Sequence, residues 1–135
     1  RNDMEGGQTN AFRPLILVAE DDDSNFKLIK AIIGKKCDIQ WAKNGEEIVA
    51  LFKEYGNEAK AILMDIKMPV MNGLDATKII RGENKEIPII MQTAYAFSSD
   101  KENAMNAGAS EVLVKPITLS ILRNTLTKYF PELVW

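Results

Sequence analysis

The feature that most constrains this chain is an alternation: short, continuous apolar runs separated by longer segments whose apolar residues fall at helical spacing. The runs lie at residues 15–19, 39–42, 61–64, 87–91 and 112–114. Between and after them, Phe26, Ile29 and Ile33, then Ile48, Leu51 and Phe52, then Leu74, Thr77 and Ile80, and last Leu119, Leu122 and Leu126 recur at intervals of three or four. Short runs that are mainly apolar, alternating with helical patterns, imply a parallel α/β sheet. Ser99 and Glu102 have capping-box spacing ahead of a weakly apolar segment with Ala104 and Met105, which predicts one further helix, the least marked of the set, with the most mobile exposed face. Right-handed crossovers place helices on both faces of such a sheet, so that ligands bind outside the carboxyl ends of the strands.

The remaining sequence bounds the function classes. A chain of 135 residues is about one domain. Residues 1–12 are polar and glycine-bearing and read as a linker, residues 13–131 as the folded domain, and residues 132–135 as a C-terminal tail. The net charge of −2 offers no electrostatic footprint for direct nucleic-acid binding. No apolar run reaches the ~20 residues of a membrane span, and the start lacks the plan of a signal peptide, so direct membrane contact is not expected and a cytoplasmic setting is. The single cysteine, Cys37, reads as a small buried hydrophobe. There is no histidine, which rules out His-based triads and His metal ligands within the chain.

Chemistry is expected at the carboxyl edge of the sheet. Glu20, Asp21, Asp22 and Asp23 follow the first run, Asp65 closes the third, Thr93 follows the fourth and Lys115 the fifth. Asp22, Asp23 and Ser24 are expected to serve as helix-start residues. Glu20, Asp21 and Asp65 would crowd one cleft, and their repulsion would be costly unless a cation or Lys115 offset it. Hard oxygen ligands of this kind suit Mg2+. A carboxylate beside that metal can act as a nucleophile toward phosphorus, with Lys115 as a second positive charge and the Thr93 hydroxyl as a donor to a phosphoryl oxygen.

Four strings, Leu15-Ile-Leu-Val-Ala-Glu-Asp-Asp22, Met64-Asp-Ile-Lys-Met-Pro-Val-Met-Asn-Gly73, Met91-Gln-Thr-Ala94 and Val114-Lys-Pro116, stand in order at strand ends. Together they make residues 14–130 resemble the receiver domains of two-component phosphorelays. The resemblance implies a flavodoxin-like, doubly wound sheet of five parallel strands in order 2-1-3-4-5 with five helices, and a cis peptide between Lys115 and Pro116. It implies that Asp65 is the phosphoacceptor and that Glu20 and Asp21 form the acidic pocket. Magnesium would be held by Asp21, Asp65 and the backbone carbonyl of Lys67, with Glu20 acting through water, while Thr93 and Lys115 contact the phosphoryl group. Lys67 and Tyr95 stand where receivers tune phosphoryl lifetime. Val112 departs from the family pattern, because many receivers carry a swinging Tyr or Phe there, and a stiff β-branched side chain cannot act that way.

The partners implied are a histidine kinase core or a histidine phosphotransfer domain, with a monomer favoured. Motif style and the loose N-terminal segment favour the receiver of a hybrid histidine kinase, a protein that as a whole would be an enzyme, over a single-domain response regulator. Within the domain itself the expected activities are self-phosphorylation and autodephosphorylation. Three other classes fit less well. A haloacid-dehalogenase-like phosphatase needs a second Asp two residues after the nucleophile, where Lys67 stands. A flavin-binding module needs a Ser, Thr and Gly-rich phosphate loop in place of the acidic run at 20–23. A receiver-like domain that has lost phosphorylation would be expected to lack pocket residues, and none is missing.

Overall fold

The computed structural model describes residues 12–96 and 99–135. All but the last residue of the expected linker at 1–12 therefore lies outside the described residues. Five strands form one parallel sheet, β1 (Leu15–Ala19), β2 (Asp38–Ala42), β3 (Ala59–Asp65), β4 (Ile89–Thr93) and β5 (Glu111–Val114), in the order β2-β1-β3-β4-β5. Five helices connect and flank them: α1 (Asp23–Ile33), α2 (Gly45–Tyr55), α3 (Gly73–Arg81), α4 (Asp100–Ala107) and α5 (Leu119–Tyr129). The expected flavodoxin-like architecture is the observed one.

The runs of the central strands are mainly apolar because helices cover both faces of the sheet. Along β1, Ile16 and Val18 enter the core under α1 and α5, while Leu17 and Ala19 enter the core shared with α2 and α3. Period-two alternation thus sorts a single run into two hydrophobic layers. The helices begin where side chains can satisfy their free N–H groups. Asp22 accepts from the Ser24 N–H, Asn44 from Glu47, Asn72 from Asp75 and Thr118 from Ile121. Cys37 is buried, and burial pushes its thiol up to about 11, so it is a core residue and not a reactive one.

Some boundaries differ from the sequence reading. The fourth strand starts at Ile89, two residues late, because Pro88 has no N–H to give a ladder; its carbonyl still accepts from Ile62. Leu119 is exposed at the start of α5, whose inward face is Leu122, Thr125 and Leu126. Ser99 precedes α4, but its backbone is already helical and, among the described residues, its hydroxyl takes no capping hydrogen bond. The expected capping box is therefore not formed. Beyond α5, Leu133 is buried and the Trp135 indole N–H donates to Thr127 Oγ1 at 3.1 Å, so the terminal residues pack back on that helix. None of the helices described is long and apolar enough to cross a membrane.

The β3–α3 segment needs a glycine for reasons of space. Gly73 opens α3 directly behind β3, where its N–H donates to the Ile66 carbonyl at 2.8 Å and an added Cβ would run into the Asp65 carbonyl oxygen. The obstacle is backbone, which cannot rotate aside. Gly73→Ala should lower unfolding stability by about 2 kcal/mol or more, as overpacking against a fixed backbone does. Urea unfolding followed by circular dichroism checks this; an unchanged midpoint would show that the β3–α3 loop can yield.

Candidate functional site

The site lies at the carboxyl edge of the sheet, where four strand ends release their chains. After β1, the backbone stays in register for one more residue. The Glu20 N–H donates to the Ala42 carbonyl at 2.9 Å, and the Trp41 indole N–H donates to the Glu20 carbonyl at 2.8 Å. These bonds turn the Glu20 side chain inward, where it is wholly buried and accepts from the Asp22 N–H at 3.2 Å. Asp65 is the last residue of β3 and is also buried, while Asp21 is exposed at the mouth. Carboxylate oxygens of Glu20, Asp21 and Asp65 all lie within 4.8 Å of one another.

Lys115 follows β5, anchored by its N–H on the Thr93 carbonyl at 2.8 Å. Its peptide bond to Pro116 is cis, as the resemblance implied. The ammonium sits 3.1 Å from Asp65 Oδ2 and 3.4 Å from Glu20 Oε1. One cation therefore answers two buried carboxylates and a third at the rim. Burial, and then the negative charge of Asp65, push Glu20 up to about 7 against the opposing pull of Lys115 and the Asp22 N–H. Asp65 is also raised, mainly by burial, although Lys115 draws it back. For Lys115, burial works against the charge, but Asp65 and Glu20 outweigh it and the ammonium is held above its ordinary range.

Thr93 ends β4 on the wall of the same cleft, which Asp65, Lys67, Tyr95 and Lys115 also line. Its hydroxyl donates to Asp100 Oδ2 at 2.8 Å and accepts from the Tyr95 N–H at 3.1 Å. At the rim the Lys67 ammonium lies 5.1 Å from the centre of the Tyr95 ring, a cation–π contact between the two residues singled out for phosphoryl lifetime. Val112 is partly buried against the α2–α3 core.

The fold thus gathers Glu20, Asp21, Asp65 and Lys115 into one corner, sets Thr93 on its wall and Lys67 on its edge. Asp22 and Asp23 stand apart, the first as a cap and the second paired with Lys43 at 3.3 Å. Two neighbours escaped the sequence reading. Asp100 carried a signal, an acidic residue at a helix start, but that pattern reads as a helix terminus and does not disclose a bond to Thr93. Trp41 carried none, being one more aromatic residue in an apolar run.

Comparison with known proteins agrees with this geometry. A family model described as the response regulator receiver domain matches residues 16–127. Hybrid signal transduction histidine kinase I of Dictyostelium discoideum is 38% identical over 129 residues, which are 87% of this chain and only 7% of that protein. Among solved structures, the receiver domain of sensor histidine kinase PA1611 from Pseudomonas aeruginosa superposes with a TM-score of 0.81 at 30% identity, covering 89% of this chain and 99% of that one, and is described with a magnesium ion coordinated in its active-site cleft. The receiver domain of Ssk1, co-crystallised with the histidine phosphotransfer protein Ypd1 of Saccharomyces cerevisiae, gives 0.81 at 28% identity, covering 90% and 93%. A doubly wound sheet whose carboxyl edge holds an acidic corner closed by one lysine, with a family match running from β1 into α5, places the chain among the response regulator receiver domains of two-component signalling.

Proposed function

We propose that Asp65 accepts a phosphoryl group from a phosphohistidine of a histidine kinase core or a histidine phosphotransfer domain. The observation that carries this reading is the Asp65 carboxylate, fixed at the end of β3 with Lys115 Nζ 3.1 Å away and two further carboxylates beside it. Asp65 attacks phosphorus, an O–P bond forms as the N–P bond breaks, and the electron pair of that bond returns to the imidazole. Because phosphoryl transfer demands little covalent work, positioning and charge neutralisation carry it. Lys115 pairs with the transferred group, and Thr93 offers it a hydroxyl proton.

Three carboxylates against one ammonium leave the corner short of positive charge, and hard oxygen donors fit magnesium. Asp21, Asp65 and the Lys67 carbonyl would hold the ion, with Glu20 reached through water. When bound, it would offset the charge on the phosphoryl oxygens. We assign residues 13–131 to the receiver unit, 1–12 to a linker and 132–135 to a C-terminal tail that packs back on α5. The likeness to hybrid kinases supports a receiver within a larger cytoplasmic kinase polypeptide, monomeric by itself, that relays the phosphoryl group onward. Val112 supports the same view, since an aromatic gate is absent at that position.

Acetyl phosphate with magnesium should add one hydroxylamine-labile phosphoryl group to the chain, and Asp65→Asn should abolish it; mass spectrometry that finds the label undiminished in Asp65→Asn would refute the assignment. Asp21→Asn should slow labelling about tenfold or more through loss of the metal, and labelling that survives both this change and a chelator would count against the ligand set.

Acidity gives a second handle. Glu20 titrates at about 7 in the folded chain against an ordinary 4.5, so the folded state holds the proton more tightly. The stability this confers is fully present below about 4.5 and is lost as pH rises toward 7. Asp65 shifts in the same direction, and Lys115 stays charged throughout this window. The metal-free domain should therefore unfold at lower urea at pH 7.5 than at pH 5.5, magnesium should reverse the loss, and Glu20→Gln should flatten the trend. A wild-type midpoint that climbs over this range without metal would contradict it.

A further inference from the structure

We infer that Asp100 sets how tightly the phosphoryl group is held, by competing with it for the single hydroxyl proton of Thr93. The inference rests on the reading of Asp65 as phosphoacceptor. A threonine hydroxyl has one proton to donate and two lone pairs to accept with. In this structure the proton goes to Asp100 Oδ2 at 2.8 Å, and a lone pair receives the Tyr95 N–H at 3.1 Å. The direction of the first bond follows from its partner, since a carboxylate oxygen at neutral pH has no proton to give. Phosphoryl oxygens are in the same position. Thr93, buried on the cleft wall, can therefore serve Asp100 or a phosphoryl group on Asp65, but not both.

The alternative partner matters because α4 buries little apolar surface. Its buried residues are Ala104 and Ala107, and Ser99 contributes no side-chain cap. At its far end the helix stops at Gly108 in the left-handed conformation, where the Arg81 guanidinium holds the Gly108 carbonyl at 2.7 Å and Ser110 Oγ at 3.2 Å. The Asp100 bond to Thr93 thus ties the first turn of α4 to β4, and its last turn is tied to α3. When the proton turns to the phosphoryl group, Asp100 loses that donor. That loss opposes the phosphorylated state, and it acts through a side chain that itself touches no reacting atom.

The test is a titration of the full chain with beryllofluoride and magnesium, followed by calorimetry, for wild type, Asp100→Ala, Thr93→Ala and the double variant. Asp100→Ala should bind about tenfold more tightly, the worth of one released hydrogen bond, and Asp100→Asn, which keeps an acceptor, should fall between. In the Thr93→Ala background the Asp100→Ala change should have no effect within about twofold, because the contested proton is gone; a merely structural role for Asp100 would persist there. Unchanged or weaker binding by both Asp100 variants, or an effect that survives Thr93→Ala, overturns the competition. Wild-type chain that binds no beryllofluoride, or binds it equally as Asp65→Asn, overturns the phosphoacceptor reading itself and the competition with it.

Discussion

The Lys115 ammonium stands between Glu20 and Asp65, both buried, at the point where β1, β3 and β5 end. Taking two carboxylates out of water costs several kcal/mol each unless an opposite charge is close. One lysine meets that demand only in part, which is why Glu20 and Asp65 both keep raised affinities for a proton. The shortage is informative. A corner that satisfied its own charges would have no use for a cation; this one is left short of positive charge, with Asp65 Oδ2 3.1 Å from the Lys115 ammonium.

The sheet exists to hold that corner in place. Strands β1 and β3 are adjacent, so Glu20 and Asp65 leave the sheet side by side, and the crossover order puts β5 at the far edge, from which Lys115 must reach back across β4. Gly73 lets α3 start in contact with the Asp65 peptide, so that the loop behind Asp65 is fixed by backbone against backbone. On the outer side of Thr93 the structure is looser, with a helix that buries two alanines. The two flanks of the corner are thus built differently, one closed by backbone contact at Gly73 and the other by a helix with little buried apolar surface.

Much of this was legible in the chain. Apolar runs buried on both faces announce themselves, and residues at their carboxyl ends converge by topology alone, so Glu20, Asp21, Asp65, Thr93 and Lys115 could be placed before any coordinates. What stayed hidden depends on contacts that have no period. Pro88 silently removes a donor and delays β4; Leu119 has the right spacing for the α5 face but sits in its first turn, above the core it was expected to join. Asp100 looks like a helix-start residue because it is one, and only the fold reveals that its carboxylate is spent on Thr93.

Trp41 stacks on Phe26 at 3.9 Å with the rings parallel to within 1°, carries the Lys43 ammonium 4.8 Å above it, and gives its N–H to the carbonyl of Glu20. An indole so placed is a built-in optical gauge. Its emission depends on the field and polarity around the ring, to which the Glu20 carbonyl and the Lys43 ammonium both contribute. The chain has one other indole, Trp135, bound to Thr127 on the outside of α5. The two indoles stand in different surroundings, one bonded to the first residue of the acidic corner and the other packed on α5, so emission from the corner can be read against a second indole without attaching a dye.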